Sequence, residues 1–335
     1  MSAPIPLSRL LGIAALLLAL TGAAWWTWRP APPPQTWPDG FTRITLEHNN
    51  ISEVAWYYKP RANETRPLLL SLHSWSGNAD QYDPLAALAQ EAGWHYIHPD
   101  FGGANTHPGA CLSETALDGM DVAIDYALAQ GGVDPERIFV AGESGGGYAA
   151  LGAYLKSQHT FAGVFAWVPI TDLVAWHTES QVRRHPDPER RVGYDADIRA
   201  CTGSADVLDT DNARARSPLW MTSNGRNHAT PLLIAAGLHD GHDGGTVPVS
   251  HSVLMFNRLA QERGEYAAVV RGETLSALLN REVAIIDTTH RLGARTIYLE
   301  RRAGPVRLVI FEGGHESLPG VTIDAIHELA QAGEL

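Results

Sequence analysis

A glycine-rich turn between an apolar strand and a helix-forming stretch constrains this chain more than any other feature. The pattern predicts the strand over 137–141 and the helix over 148–156, and Gly142-Glu143-Ser144-Gly145-Gly146 lies between them. This is Gly-x-Ser-x-Gly, in which the serine sits on a turn so tight that glycine is needed on both sides. A phosphate-binding loop is excluded because no Gly-Lys-Ser/Thr follows. We predict that Ser144 is a nucleophile.

A serine hydroxyl needs a general base, and a carboxylate must orient that base. Two later apolar strands end in suitable residues, the first just before Asp240 and the second just before His315. The order Ser144, Asp240, His315 along the chain is the order expected when the serine lies on such an elbow. Asp243, in the same loop as Asp240, remains an alternative for the acid, as does Asp172 after an earlier strand.

Backbone amides are expected to stabilise the negative charge that forms during attack by the serine. One donor is the amide of Gly145, directly after the nucleophile. The second is expected from the loop that follows the third strand, 73–78, where Ser74 and Trp75 are the candidates. His73 at the start of this loop is predicted to hold the loop in place and to take no part in the chemistry.

Short buried strands alternate with helices, which predicts an α/β fold with a mostly parallel central sheet and helices on both faces. Two stretches interrupt the alternation. The first, 172–221, is rich in charge, proline and glycine, and is predicted to be a cap-like insertion over the active site. The second, 264–302, contains a predicted apolar strand at 283–286. The strands are predicted at 41–48, 54–59, 67–73, 94–98, 137–141, 161–168, 231–236 and 306–311, and the helices at 83–92, 114–130, 148–156 and 323–332.

The N-terminal residues 1–28 are predicted to lie outside the folded domain. Residues 10–28 form an uncharged apolar run that ends in several tryptophans, which is typical of a signal peptide or of an uncleaved membrane anchor. Either alternative predicts an exported protein, periplasmic or extracellular. Residues 29–40 form a proline-rich spacer, and the folded domain is predicted to cover 41–335.

The chain has 335 residues, of which 44% are hydrophobic, and a formal net charge of −12. An acidic protein is not expected to bind nucleic acid. An exported chain with two cysteines can pair them, and a bridge between Cys111 and Cys201 would tie the insertion to the core. The spacing of His239, Asp240, His242 and Asp243 leaves a metal site as an alternative, but we expect no metal at this loop.

Several of these segments resemble the α/β-hydrolases, and in particular the catalytic domains of the prolyl oligopeptidase and dienelactone hydrolase group. The resemblance extends over about residues 55 to 330. It implies acyl transfer in two steps through an acyl-enzyme on Ser144, with no metal or organic cofactor. The segments that carry it are Leu72-His73 with the glycine turn after it, Val133–Gly147, Asp240 with Val247-Pro248 beyond it, and Gly313-Gly314-His315.

Three functions are compatible with these residues. The first is a serine esterase, acting on a small ester or on acetyl or feruloyl esters of polysaccharides. The second is a serine peptidase of the prolyl oligopeptidase type, which we favour less because no room for a propeller domain precedes residue 41. The third is a binding protein that has kept the hydrolase fold. Trp176 and Arg216 in the insertion are candidate substrate-binding residues.

Overall fold

The computed structural model describes residues 36–48, 51–182, 194–242, 246–283 and 291–332. The strands within these ranges form one ten-stranded sheet in the order β1-β2-β4-β3-β5-β6-β7-β10-β9-β8. Their bounds are β1 Thr42–His48, β2 Ile51–Tyr58, β3 Arg66–Leu72, β4 His95–Pro99, β5 Val133–Glu143, β6 Gly163–Trp167, β7 Leu232–Gly237, β8 Arg291–Leu292, β9 Arg295–Ala303 and β10 Val306–Phe311.

Six central strands run parallel to one another, which confirms the predicted mostly parallel sheet. In sheet order they are β4, β3, β5, β6, β7 and β10. Antiparallel strands flank them: β2 pairs antiparallel with β1 and β4, and β9 with β10 and β8. Central strands are covered on both faces, so they appear in the sequence as unbroken apolar runs, such as Leu68–Leu70 with no exposed surface.

The helices cover the sheet and connect its strands. Among the described residues, α1 packs with α9, α2 with α3, α4 with both α5 and α6, and α7 with α8. The bounds are α1 Pro84–Glu91, α2 Glu114–Ala129, α3 Gly145–Lys156, α4 Leu173–Val182, α5 Asp195–Cys201, α6 Thr210–Ala215, α7 Val249–Glu262, α8 Gly272–Asn280 and α9 Pro319–Ala332, with a short 3₁₀ turn at Tyr266–Ala268.

Most predicted elements are present with small shifts at their ends, and β10 has the predicted bounds. The nucleophile strand is longer than predicted, and its helix begins at Gly145, because the glycines that mark the turn also form the first turn of the helix. Helices α7 and α8 have no counterpart in the predicted elements. Of the predicted strand 283–286, only Val283 is described, and it lies in no regular element; the rest is outside the described residues.

One compact unit begins at Trp37, within the segment predicted as a spacer. Trp37 stacks on Trp56 of β2 with 5.2 Å between the ring centroids, so the fold begins slightly before Phe41. In the part of the chain that the structure describes, no helix is long and apolar enough to cross a membrane. The predicted signal or anchor segment, 10–28, lies outside that part.

The insertion contributes α4, α5 and α6 within its described residues, 172–182 and 194–221. A disulfide joins Cys201, the last residue of α5, to Cys111 in the loop before α2, with a Cα–Cα distance of 6.0 Å. The structure therefore contains the cross-link considered from the sequence. It ties the insertion to the loop that follows β4.

Replacement of both Cys111 and Cys201 by serine is expected to lower the free energy of unfolding by about 4 kcal/mol. The two cysteines are 90 residues apart, and a cross-link over so long a loop removes much of the entropy of the unfolded chain. Urea unfolding of the oxidised protein and of the variant measures the difference. The reduced wild type serves as the control and should unfold like the variant; equal stability of all three forms would contradict this role.

Candidate active site

Ser144 lies between the end of β5 and the start of α3, where the backbone reverses direction. Its φ of 59° and ψ of −115° are unusual for a residue with a side chain, and such a conformation stores about 1–3 kcal/mol of strain. The Ser144 amide donates to the carbonyl of Trp167 on β6 at 2.9 Å, which helps to hold this backbone in place. A Cβ atom at Gly146 would lie 2.1 Å from the Leu72 carbonyl oxygen, so glycine is required there.

Asp240 and His315 follow two adjacent parallel strands, β7 and β10, and the structure brings them together. Oδ2 of Asp240 lies 2.7 Å from Nδ1 of His315. Oδ1 of Asp240 accepts hydrogen bonds from the amides of Gly241, Thr246 and Val247 at 2.8, 3.0 and 3.0 Å. The carboxylate is fully buried, and these donors fix it as an acceptor.

The contact with Asp240 determines what His315 can do. A carboxylate can only accept, so Nδ1 of the imidazole donates to it and Nε2 is left as the basic nitrogen. Among the described residues, neither Nε2 of His315 nor Oγ of Ser144 has a hydrogen-bond partner, so both atoms are available to a substrate. The alternative acid Asp243 lies outside the described residues, and Asp172 caps the first turn of α4 by accepting from Val174 and Ala175.

The backbone of Gly145, directly after Ser144, packs closely against that of Trp75. A Cβ atom built on Gly145 would lie 2.2 Å from the Trp75 nitrogen, so only glycine allows the two segments to approach this closely. Neither amide has an acceptor in the described part of the chain. The Ser74 amide, by contrast, donates to Oε1 of Gln81 at 3.1 Å. The structure thus favours Trp75 over Ser74 as the second donor.

Gln81 is a residue of the site that sequence reasoning missed. Its Oε1 accepts from both the amide and the hydroxyl of Ser74, the latter at 2.8 Å, and so fixes the residue before Trp75. No motif includes Gln81, and only the folded structure shows the contact. His73 holds the other side of the loop, as predicted: its ring nitrogens lie 2.9 Å from the Ser74 carbonyl oxygen and 2.8 Å from that of Asp100. Burial lowers the pKa of the His73 imidazole.

Gln81→Ala is expected to lower kcat by about 100-fold, the magnitude typical of losing one oxyanion donor, because the Trp75 amide is no longer held in position. KM should change little, since the contact supports the reacting carbonyl and not the rest of the substrate. The matched control is Gln90→Ala, whose side chain donates to the Asp39 carbonyl at the other end of α1. Equal kcat for the Gln81 and Gln90 variants would contradict the role given to Gln81.

The structure corrects the prediction that Trp176 presents an aromatic face to the substrate. The side chain is 1% exposed, and its Nε1 donates to the Thr246 carbonyl at 3.0 Å. It stacks on Tyr194 and meets Trp75 edge to face, with centroid distances of 4.8 and 4.7 Å. This aromatic cluster packs the insertion onto the loop that carries the Trp75 amide.

Arg216 makes contacts within the protein that the sequence does not indicate. Its Nη1 donates to the carbonyls of Pro108 and Ala110 at 2.9 and 2.8 Å, and its Nε donates to Oδ1 of Asn212. Partial burial lowers the pKa of the guanidinium. Through its hydrogen bonds to backbone carbonyls next to Cys111, Arg216 holds the insertion in place, and its role in substrate binding stays a prediction.

The histidines around Asp240 do not converge on a metal position. Nε2 of His239 lies 3.2 Å from Glu312, whereas Nε2 of His242 lies 3.0 Å from the Leu279 carbonyl oxygen. Within the ranges that the structure describes, no group of three or more histidine, cysteine or acidic side chains is arranged to hold a metal ion.

Comparison with known proteins shows the class of this fold. A model of the prolyl oligopeptidase family matches residues 114–273, which include the elbow, the insertion and Asp240. The chain has the α/β-hydrolase fold. The family match and the elbow at Ser144 make it similar to the prolyl oligopeptidase family.

Solved structures of similar fold include peptidases. They include an acylaminoacyl peptidase from Pyrococcus horikoshii (TM-score 0.57, 17% identity, 88% of this chain and 41% of that one). A puromycin hydrolase gives a TM-score of 0.58 at 17% identity, over 90% of this chain and 40% of that one. Prolyl oligopeptidase B from Galerina marginata gives 0.52 at 16% identity, over 67% of this chain and 32% of that one. At these identities the likeness shows the fold alone.

A curated relative is an esterase. An acetylxylan esterase from Coprinopsis cinerea is 30% identical over 130 residues, which are 34% of this chain and 35% of that protein. The chain therefore matches about a third of the length of this relative, and about two fifths or less of the structures above.

Proposed function

We propose that this chain hydrolyses carboxylic esters through an acyl-enzyme on Ser144. The observation that carries the proposal is the Asp240–His315 pair, which leaves a basic Nε2 at the same edge of the parallel sheet as the strained Ser144. The paired amides of Gly145 and Trp75 next to this serine supply an oxyanion hole. Nucleophile, base, orienting acid and oxyanion donors are the four parts that acyl transfer needs.

The reaction would proceed in two steps. Nε2 of His315 takes the proton from Ser144 as Oγ attacks the ester carbonyl, and the oxyanion is held by the amides of Gly145 and Trp75. His315 then gives this proton to the leaving alcohol, and the acyl group stays on Ser144. In the second step His315 takes a proton from water, which attacks the acyl-enzyme, and returns it to Ser144 as the acid leaves. Asp240 stabilises the imidazolium in both steps.

Acetyl esters of polysaccharides are the substrates that we favour, because the chain is 30% identical over 130 residues to an acetylxylan esterase. Feruloyl esters are a second substrate class to be tested. The alternative function is peptide hydrolysis, which the prolyl oligopeptidase family match supports. A binding protein without activity is the third hypothesis.

We further propose that the protein acts outside the cytoplasm. The apolar run 10–28 is suited to export or to anchoring in a membrane, and the Cys111–Cys201 disulfide is typical of an oxidising compartment. Expression of the full chain with a reporter fused at its C-terminus, followed by fractionation, tests this. Recovery of the reporter in the cytoplasm would contradict the proposal.

A direct comparison of substrates tests the function. The full chain is expected to hydrolyse p-nitrophenyl acetate and to release acetate from acetylated xylan, with kcat/KM for the acetate ester at least about 100-fold above that for aminoacyl p-nitroanilides. Methyl ferulate tests the second acyl class. Faster cleavage of the anilides would favour the peptidase, and no turnover of any substrate would favour a binding role.

A further inference from the structure

Glu143, the variable residue of the Gly-x-Ser-x-Gly motif, forms a long-range contact whose position in the fold suggests a role. It is the last residue of β5 and directly precedes Ser144. Its Oε2 accepts hydrogen bonds from the Ser317 amide, at 2.9 Å, and from the Ser317 hydroxyl. Ser317 lies two residues after His315. The contact therefore joins the segment that carries the serine to the segment that carries the histidine, 174 residues apart in sequence.

The three loops of the site are otherwise connected only in part. The amide of His239 donates to the Gly313 carbonyl at 2.9 Å, which joins the acid loop to the histidine loop in addition to the Asp240–His315 contact. Between the serine elbow and the histidine loop, the hydrogen bonds found among the described residues are the two from Ser317 to Glu143. In the described part of the chain, this contact is therefore the direct hydrogen-bonded link between the segment of Ser144 and that of His315.

The surroundings of Glu143 are polar. It lines a cavity of about 260 Å³ whose other walls include the polar side chains of Ser71, Asp83 and His98. A polar cavity of this size can hold water, and water can solvate the carboxylate oxygen that Ser317 does not use. Because the amide and the hydroxyl of Ser317 both donate to Glu143, they fix the orientation of Ser317 better than a single hydrogen bond does.

We propose that Glu143 is a positioning residue that holds the His315 loop against the nucleophile elbow through Ser317. This rests on the proposed roles of Ser144 and His315 in acyl transfer. Glu143 touches no reacting atom. It acts by keeping Nε2 of His315 within reach of Oγ of Ser144, where a displacement of about 1 Å can cost 100-fold in rate.

The test is a double-mutant cycle on hydrolysis of p-nitrophenyl acetate by the full chain. Glu143→Ala is expected to lower kcat by about 100-fold and to leave KM within about threefold, because ground-state binding does not need the base. Ser317→Ala, which keeps the amide donor, should lower kcat by about tenfold. The double variant should be no slower than Glu143→Ala, since both changes remove one interaction. Glu143→Gln keeps an acceptor oxygen and should recover kcat to within about tenfold of the wild type.

Other outcomes would overturn the proposal: a kcat for Glu143→Ala within a few-fold of the wild type, additive losses in the double variant, or no recovery with glutamine. If Glu143→Ala fails to fold, the kcat of Ser317→Ala tests the proposal by itself. An unchanged kcat in that variant would contradict the proposal. Glu262→Ala, which removes a surface carboxylate that pairs with Arg258, is the matched control and should change neither constant.

A second readout separates failure of this inference from failure of the proposed function. A fluorophosphonate reacts with an activated serine whatever the natural substrate is. If the wild type cleaves no ester but is labelled at Ser144, the ester proposal fails, and Glu143→Ala should still be labelled about 100-fold more slowly. Equal labelling rates, or no labelling of Ser144 in the wild type, would overturn the inference.

Discussion

Ser144→Ala is expected to lower kcat/KM for p-nitrophenyl acetate by at least about 10⁴-fold. The variant loses the nucleophile, and the oxyanion amides alone supply little of the rate because triad members act as a unit. Among the residues that the structure describes, no other hydroxyl group lies on such an elbow beside the amides of Gly145 and Trp75. Initial rates at saturating and at low ester concentration measure the loss.

The control for this experiment is Ser223→Ala. Ser223 lies in the loop before β7 and accepts a local hydrogen bond from Gly225, so the change should leave kcat/KM within about twofold. His315→Ala should reduce the rate as severely as Ser144→Ala, and the two losses should not add. Activity of Ser144→Ala within about tenfold of the wild type would remove Ser144 from the mechanism.

Asp240→Asn is expected to lower kcat by about 10⁴-fold, although asparagine has nearly the same shape. The amides of Gly241, Thr246 and Val247 would continue to donate to the Oδ1 position. The NH₂ group would then face Nδ1 of His315 and make this nitrogen the acceptor. The proton would move to Nε2, and the base that Ser144 needs would be lost.

Asp243→Asn is the matched comparison, because Asp243 is the alternative acid in the same loop. It should change kcat by less than about tenfold. The measurement is kcat and KM for both variants at several pH values, together with melting temperatures that show whether each variant is folded. The reverse ranking, with Asp243→Asn the slower enzyme, would move the orienting acid to Asp243.

Local sequence predicts most elements of this fold and the tight turn at Ser144. The elbow depends on residues that are adjacent in the chain, since Gly142 to Gly146 determine whether the turn is sterically allowed. Asp240 and His315 were identifiable because each follows an apolar strand, and parallel neighbouring strands place such residues at the same edge of the sheet. The structure shows their side chains in contact, as this pattern predicts.

Contacts that lie outside a local motif are not predictable in the same way. Nothing near Ser74 in the sequence shows that its amide is taken by Gln81 and that of Trp75 is not. The residue types of Trp176 and Arg216 make them candidates for substrate binding. The groups that they contact in the structure, such as the carbonyls of Thr246 and Pro108, come from other loops. The Glu143–Ser317 contact belongs to this class too, because it joins residues 174 positions apart.

Covalent labelling of the full chain with a fluorophosphonate, followed by peptide mapping, tests most directly whether Ser144 is an activated nucleophile. We expect one adduct per chain, located on Ser144, with its formation blocked by the change His315→Ala as well as by Ser144→Ala. Labelling of a different residue, or none under conditions in which the folded protein remains intact, would contradict a serine hydrolase that works through Ser144.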